Sequence, residues 1–302
     1  MTKAPLIVNY GMGVDSTAML INMHRLGEKP DLIIFADTGS EKPETYRYLA
    51  VMNKWLAHVG WPLVHVVKFA GVRVSYNSLE ENCLTNETLP SLAFGMKSCS
   101  LRWKAEVMDR FLLGCKRGKN KCAPWIPESC GKPTKCIGYD AGPADSRRAH
   151  SRTEDKFFSY RYPLREWGWD RERCVHEIKK AGLPPPLKSA CFFCPASKHW
   201  EVVWLAAKHP ELFLRAVRIE DVAREGKHGL DTVKGLGRNW SWKAWAEDAG
   251  ILKDGAIVME QAEMLLMAEE AKPRYEANDC SMICEGDFDQ FAYDPEESDD
   301  ES

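Results

Sequence analysis

The 302-residue chain has no long hydrophobic run. Its longest uncharged apolar stretches, such as Pro5 to Tyr10 and Leu32 to Ala36, fall far short of the ~20 residues that a membrane-spanning helix needs. It also lacks a dominant charge. With a formal net charge of -3, nothing marks the whole molecule as a nucleic-acid binder, and only a local basic patch fits such a role. The charged start, apolar middle and small-residue cleavage site of a signal peptide are missing, so the expected location is the cytoplasm. There is no internal repeat. Apolar residues at 44% and charged residues at 28% lie near the globular average, which excludes general disorder and collagen-like chains. His150, His176, His199 and His209 have no metal-ligand spacing, and hydrogen-bonding or surface roles are expected for them. What the chain does have is eleven cysteines. In a reducing compartment, clustered cysteines more often hold a metal or do redox chemistry than form disulfides.

The first third alternates short apolar runs with helical patterns. Leu6 to Tyr10 reads as a strand, followed by a Gly-containing turn and a helix from Ser16 to Arg25; Leu32 to Ala36 and Leu63 to Val67 are two further strands, separated by a helix that starts near Pro43. Alternation of this kind predicts an α/β fold with a doubly wound, mostly parallel sheet and ligands at the carboxyl ends of its strands. A helix is expected from Leu101 to Leu113, then an irregular Cys-rich insertion at about 114–136, then a strand end at Ile137 to Tyr139. Four helices are expected beyond it, at Trp200 to Lys208, Glu211 to Arg224, Trp240 to Asp248 and Ile257 to Ala271. The tryptophans at 200, 204, 240, 242 and 245 are expected to pack in a core. The expected division is a nucleotide-binding domain at 1–198, a helical region at 199–284 and a disordered acidic tail at 285–302.

Between the first strand and helix lies Tyr10-Gly11-Met12-Gly13-Val14-Asp15-Ser16-Thr17. Glycines there let backbone N–H groups approach an anion, and the helix N-terminus adds a favourable partial charge, so the segment reads as a phosphate cradle. A plain tight turn with a hydroxyl cap is the competing reading. After the second strand comes Asp37-Thr38-Gly39-Ser40-Glu41-Lys42-Pro43-Glu44-Thr45; further on are Gly138 to Arg148, the Pro163-Leu164-Arg165-Glu166-Trp167 segment, and Cys191-Phe192-Phe193-Cys194-Pro195.

In this order the motifs resemble the superfamily of PP-loop ATP pyrophosphatases and phosphoadenylylsulfate (PAPS) reductases, over residues 5 to about 200. Gly13, Asp15 and Ser16 match the Ser-Gly-Gly-x-Asp-Ser loop of that group. Gly11 stands for its Ser, Met12 for its first Gly, and Val14 for the Lys that many members carry. The 37–45 segment closely follows the group's Asp-Thr-Gly-x-x-x-Pro-Glu-Thr. Asp145-Ser146-Arg147-Arg148 resembles, with looser spacing, an element whose basic residue meets phosphate or sulfate, a task suited to the planar guanidinium fork. The resemblance implies a Rossmann-like, PP-loop type of sheet. It also implies a nucleotide, ATP or PAPS, held by Gly11, Gly13, Asp15, Ser16, Thr17, Asp37, Thr38, Gly39, Arg147 and Arg148, with Mg2+; Asp15, Ser16 and Arg148 would take catalytic roles.

Two thiolates three residues apart, Cys191 and Cys194, can grip one metal or cluster. In iron-sulfur members of the superfamily a lone distant cysteine joins such a pair. The resemblance therefore implies a four-iron cluster on Cys99, Cys174, Cys191 and Cys194, with a structural zinc at the same thiols as the alternative. A weaker second set is Cys115, Cys122, Cys130 and Cys136. Cys280 and Cys284 near the tail are candidates for redox activity. Two enzymatic readings follow. ATP is cleaved to AMP and pyrophosphate, adenylating and perhaps sulfurating an acceptor (a tRNA, DNA or small molecule), or a sulfonucleotide is reduced. Retention of Asp15 and Ser16, and the lack of a Glu-Cys-Gly-Leu-type ending or a neighbouring Cys-Cys pair, favour the first. A metal-stabilised nucleotide or nucleic-acid binding module without turnover is the reading from another class.

Overall fold

The computed structural model describes residues 3–71, 74–114, 123–127, 130–149, 154–227 and 229–272. Five strands are present in the main sheet, β1 (Leu6–Asn9), β2 (Leu32–Asp37), β3 (Val64–Lys68), β4 (Thr134–Ile137) and β5 (Ser159–Arg161). Their order is β3-β2-β1-β4-β5, and every neighbouring pair is parallel. Between β1 and β3 run α1 (Val14–Arg25) and α2 (Pro43–His58); between β3 and β4 run α3 (Leu79–Thr85), α4 (Ser98–Ser100), a π-helical turn (Leu101–Ala105) and α5 (Glu106–Leu113). After β4 come α6 (Pro143–Ala149), then α7 (Pro163–Glu166) and α8 (Arg171–Lys180) beyond β5. The helical end comprises α9 (His199–Lys208), α10 (Pro210–Glu225), α11 (Trp242–Asp248) and α12 (Met259–Glu270).

Side-chain alternation along β2 explains the layering. Leu32, Ile34 and Ala36 of β2 face one core, while Ile33 and Phe35 face the other, as the period-2 geometry of a strand requires. All six residues of β2 are buried, as expected of a strand covered on both faces. One face is closed by α1, α2 and α8 through residues such as Leu20, Met52 and Ile178. The other is closed by α3, the π turn, α5 and the C-terminal helices, with Trp103, Leu112, Val202, Phe213, Trp242 and Leu266 in one continuous core. The helical region after residue 198 thus shares its core with the sheet.

Several expectations need correction. The helix expected from Leu101 opens on a π turn and becomes α-helical only at Glu106. The end of the expected 114–136 insertion is strand: Thr134, Lys135 and Cys136 pair with β1 and β5. β5, an edge strand of three residues, has no counterpart in the sequence reading. The same holds for a small hairpin, β6 (Leu252–Lys253) and β7 (Ala256–Ile257), turned by Asp254 and Gly255 with φ of 51° and 77°. The Asp-Gly pair was its signal, since both turn positions need positive φ. The expected acidic tail lies outside the described residues.

The chain leaves β1 toward β2 on one side and returns through β4 on the other, so the crevice at the carboxyl ends of β1 and β4 is the switch point of the sheet. There α1 presses against the end of β4. A Cβ on Gly138 would lie 2.8 Å from both the Cα and the backbone nitrogen of Ser16, so only glycine fits. Gly138→Ala should push the start of α1 away from the sheet, lowering stability by about 1–3 kcal/mol, as overpacking does. A reduced urea midpoint is the expected reading, and an unchanged midpoint would mean that this contact yields freely.

Candidate functional site

Three loops meet at the switch point. The first, Tyr10 to Gly13, joins β1 to α1, and its Met12 is buried with φ of 60°. Bulky residues rarely adopt that left-handed geometry, and such outliers persist where the surrounding structure enforces them. Helix α1 starts at the N-cap Gly13 without any side-chain cap. Its first-turn N–H groups therefore stay available to an anion. Ser16 Oγ donates to the carbonyl of Gly13 at 3.2 Å. Thr17 is fully buried and its hydroxyl pairs with the Tyr10 hydroxyl at 3.0 Å, so it braces the loop from beneath. Burial raises the Tyr10 phenol well above its ordinary pKa.

The second loop follows β2. Asp37 is 1% exposed, and its Oδ1 accepts from the Gly39 amide and the Tyr46 hydroxyl, both at 2.8 Å, while Oδ2 pairs with Lys68 at 2.9 Å. Asp37 thus shapes the loop from inside. Gly39, with φ of 69°, packs where a Cβ would come within 2.9 Å of Ser78 Cβ. Thr38 Oγ1 lies 3.2 Å from both Glu41 Oε1 and Cys191 Sγ.

The third loop carries the thiols and is bonded to the other two. Ser189 Oγ donates to the carbonyl of Gly11, Phe192 N donates to the carbonyl of Ser40 at 3.0 Å, and Glu41 forms a β-bridge with Cys191. Lys104 reaches Glu41 Oε1 at 2.9 Å. Burial opposes the charge of Lys104, yet Glu41 and Cys191 beside it hold the ammonium above its ordinary range.

The four candidate metal-ligating thiols do not gather together. Cys191 and Cys194 interact with each other, and Cys194 also interacts with Cys99, which packs against the same core as Cys191. Cys174 is buried on α8 within the opposite core, where its neighbours are Asp15, Arg171, Asp140 and Asp170. Cys174 thus belongs to the core on one face of the sheet, and Cys99 and Cys191 to the core on the other. Cys83, which no sequence motif marked, neighbours Cys99 instead. Of the second set, Cys136 faces the α1 side and Cys130 packs on the other core; Cys115, Cys122, Cys280 and Cys284 lie outside the described residues. Burial raises the thiols of Cys174, Cys191 and Cys194, and pushes those of Cys83 and Cys136 up to about 12. A metal would have to displace those protons.

Carboxylates converge where α1 starts. Oxygens of Asp15, Asp140 and Asp145 lie within 4.8 Å of one another, the one group of metal-ligating type found among the described residues. Neither Asp140 nor this convergence was assigned from the motifs. Asp15 also accepts from Arg171 Nη1, at 2.9 Å to each oxygen. Burial raises the Asp15 carboxyl above its ordinary range, with Arg171 pulling the other way. Arg147 and Arg148 sit on α6, which begins beside Asp140; their side chains lie outside what is described. Arg165 pins this corner, donating to the Asp140 carbonyl at 3.1 Å and to Ser146 Oγ at 2.8 Å.

Of the histidines, His209 bonds Glu44 at 2.8 Å and His199 lies against Trp240 and Trp245, while His150 lies outside the described residues. Trp242 and Trp204 are buried in the core. No described helix is long and apolar enough to cross a membrane.

No protein-family model and no curated protein matches the chain. Among solved structures, the U34-tRNA thiolase NcsA from Methanococcus maripaludis, determined with its [4Fe-4S] cluster, is similar over 83% of this chain and 82% of that chain, at 14% identity and a TM-score of 0.30.

The placement of Cys174 makes a test. Cys174→Ala should keep any iron or zinc that the purified protein carries, at a stability cost of about 1–2 kcal/mol for trimming a buried side chain. Cys191→Ala should lose the metal. Metal analysis of both variants checks this, and equal loss from both would place Cys174 among the ligands.

Proposed function

We propose that the protein is a PP-loop type enzyme that binds ATP at the carboxyl ends of β1 and β2, cleaves it to AMP and pyrophosphate, and adenylates an acceptor that it then sulfurates. The observation that carries this reading is the direct bonding of the thiol loop to both nucleotide loops, at Ser189 to Gly11 and at Cys191 to Glu41. An uncapped helix N-terminus alone would serve any anion. A thiol pair tied to it, with Cys191 buried and Cys194 partly so, suits a reaction that joins phosphate activation to sulfur chemistry.

Each loop has a part in the reading. Backbone N–H groups at the start of α1 hold the phosphates, and Ser16 adds a hydroxyl at the loop mouth. Asp15, Asp140 and Asp145 offer the oxygen ligands that Mg2+ prefers, and the bound ion would neutralise charge on the pyrophosphate leaving group. Asp37, Thr38 and Gly39 form the wall after β2 against which the nucleoside lies. Arg147 and Arg148, on the helix that follows the acidic corner, are within the same chain segment as Asp145.

Cys99, Cys191 and Cys194 are the thiols we assign to the cluster. Zinc in tetrahedral sulfur coordination needs its sulfurs only about 3.8 Å apart, given Zn–S bonds of about 2.3 Å. Among the described residues no three thiols come within 4.8 Å of one another. A polynuclear iron-sulfur group, whose thiolates bind different metal atoms, spaces them more widely and suits this trio better. When bound, that group would supply sulfur or electrons for the acceptor. Around it, Lys104 and Glu41 provide a charged pair beside Cys191.

The test is an anaerobic assay with ATP, Mg2+ and candidate acceptors, namely bulk tRNA, DNA and small thiol acceptors. AMP and pyrophosphate should form, Ser16→Ala should slow this by about 10-fold or more through loss of one hydrogen bond to charge, and truncation after Ala277 should leave it intact. Sulfite release from PAPS that is lost on truncation, with no AMP formed from ATP, would assign the chain to sulfonucleotide reduction instead.

A further inference from the structure

The phosphate loop has no cation of its own. From Tyr10 to Thr17 it contains no basic residue, and the carboxylates of Asp15, Asp140 and Asp145 gather at the start of α1. An anionic polyphosphate would meet repulsion there unless positive charge is supplied from elsewhere. The guanidinium of Arg171, the first residue of α8, is bonded to one of these carboxylates, that of Asp15. Helix α8 packs along α1, which brings Arg171 to the start of that helix although 156 residues separate it from Asp15.

The geometry points to Arg171 as the phosphate-binding cation of this loop, held on Asp15 in the nucleotide-free protein and passing to phosphate oxygens when the nucleotide arrives. Nη1 alone serves both oxygens of Asp15, at 2.9 Å each. Guanidinium carries five N–H donors. Those on Nη2 and Nε make no bond among the described residues and are left to donate to a second oxyanion. Arg171 is half-buried, with 18% of its side chain exposed, so it keeps access to solvent while its stem is held. A planar fork that can hold a carboxylate and a phosphate in turn is what Arg offers and Lys does not. This inference deepens the ATP reading and rests on it for the identity of the ligand.

The experiment uses the full chain and inorganic pyrophosphate as the probe, in EDTA so that no metal bridges the ions. Wild type, Arg171→Ala, Arg171→Lys, Asp15→Asn and the Asp15→Asn/Arg171→Ala double variant are compared by calorimetry, with circular dichroism to confirm folding. Arg171→Ala should weaken binding about 10- to 100-fold, the range for losing hydrogen bonds to a charged group. Arg171→Lys, which keeps the charge and is the safer variant for folding, should recover part of that loss. Asp15→Asn should tighten binding several-fold by releasing Arg171, and that gain should vanish in the double variant. A merely structural role for the ion pair would weaken binding in both single variants. Equal tightening by Asp15→Asn with and without Arg171, unchanged binding in Arg171→Ala, or no pyrophosphate binding by wild type would each overturn the assignment. The two claims fail separately. AMP formation with Arg171-independent pyrophosphate binding would sink this assignment and leave the ATP reading; Arg171-dependent binding without any AMP formation would do the reverse.

Discussion

The seat of α1 against the end of β4 is the contact on which the rest of the carboxyl edge depends. Gly138 has no side chain, so the backbone of Ser16 can lie directly on it, and this fixes where the uncapped N–H groups of α1 point. The same contact holds Asp15 close to Asp140, two residues beyond Gly138. With the helix displaced by even one methyl group, the carboxylates would separate and the ion pair with Arg171 would have to re-form. The strained Met12 belongs to the same arrangement. Its left-handed backbone turns the chain sharply enough to start α1 immediately after the strand, and its buried side chain anchors the turn from below.

The sheet also decides which residues can cooperate. Asp15, Arg171 and Cys174 lie on the α1 side, whereas Cys99 and Cys191 belong with the opposite core, and Cys194 interacts with both of them. A cysteine on α8 is close in sequence to Cys191 but is directed to the other face, because α8 buries Cys174, Val175 and Ile178 on its helical stripe against α1. What crosses between the two regions is loop, not core. Ser189 and Ser40 reach over the ends of the strands, where backbone is free to bond outside the ladder.

The fold was largely legible because its strands are short, apolar and separated by helix-period segments. Leu32–Asp37 could be read almost to the residue, and so could the start of α2 at Pro43. β5 was not legible, since three half-buried residues at a sheet edge carry no alternation to recognise. The π turn at Leu101–Ala105 was equally invisible, because its helical pattern continues unbroken into α5. Within the site, the glycines and Asp15 stood out by motif, and so did Cys191 and Cys194. Thr17 shared that motif, yet periodicity turns it inward on α1, where it meets Tyr10. Arg171 could not have been found by spacing at all. Its partner lies on another helix, and only the packing of α8 on α1 brings the two charges together.

Charge and geometry at the two halves of the site differ in a way that suits successive steps. Around Asp15 the groups are partly exposed and acidic, with the guanidinium of Arg171 bonded to Asp15, a setting in which a metal and a polyphosphate can enter and leave. Around Cys191 the groups are more enclosed: that thiol is buried, Cys194 is partly so, and burial raises both above the ordinary thiol range. Because Ser189 lies two residues before Cys191, and Glu41 lies within the loop that follows β2, the short connections between the halves consist of backbone held by its own hydrogen bonds. Such connections leave little freedom for one half to move without the other. Under the proposed reading, a group activated at the charged half would be tied through these bonds to the loop that carries the thiols, and a fixed connection of that kind lowers the entropic cost of bringing two reacting groups together.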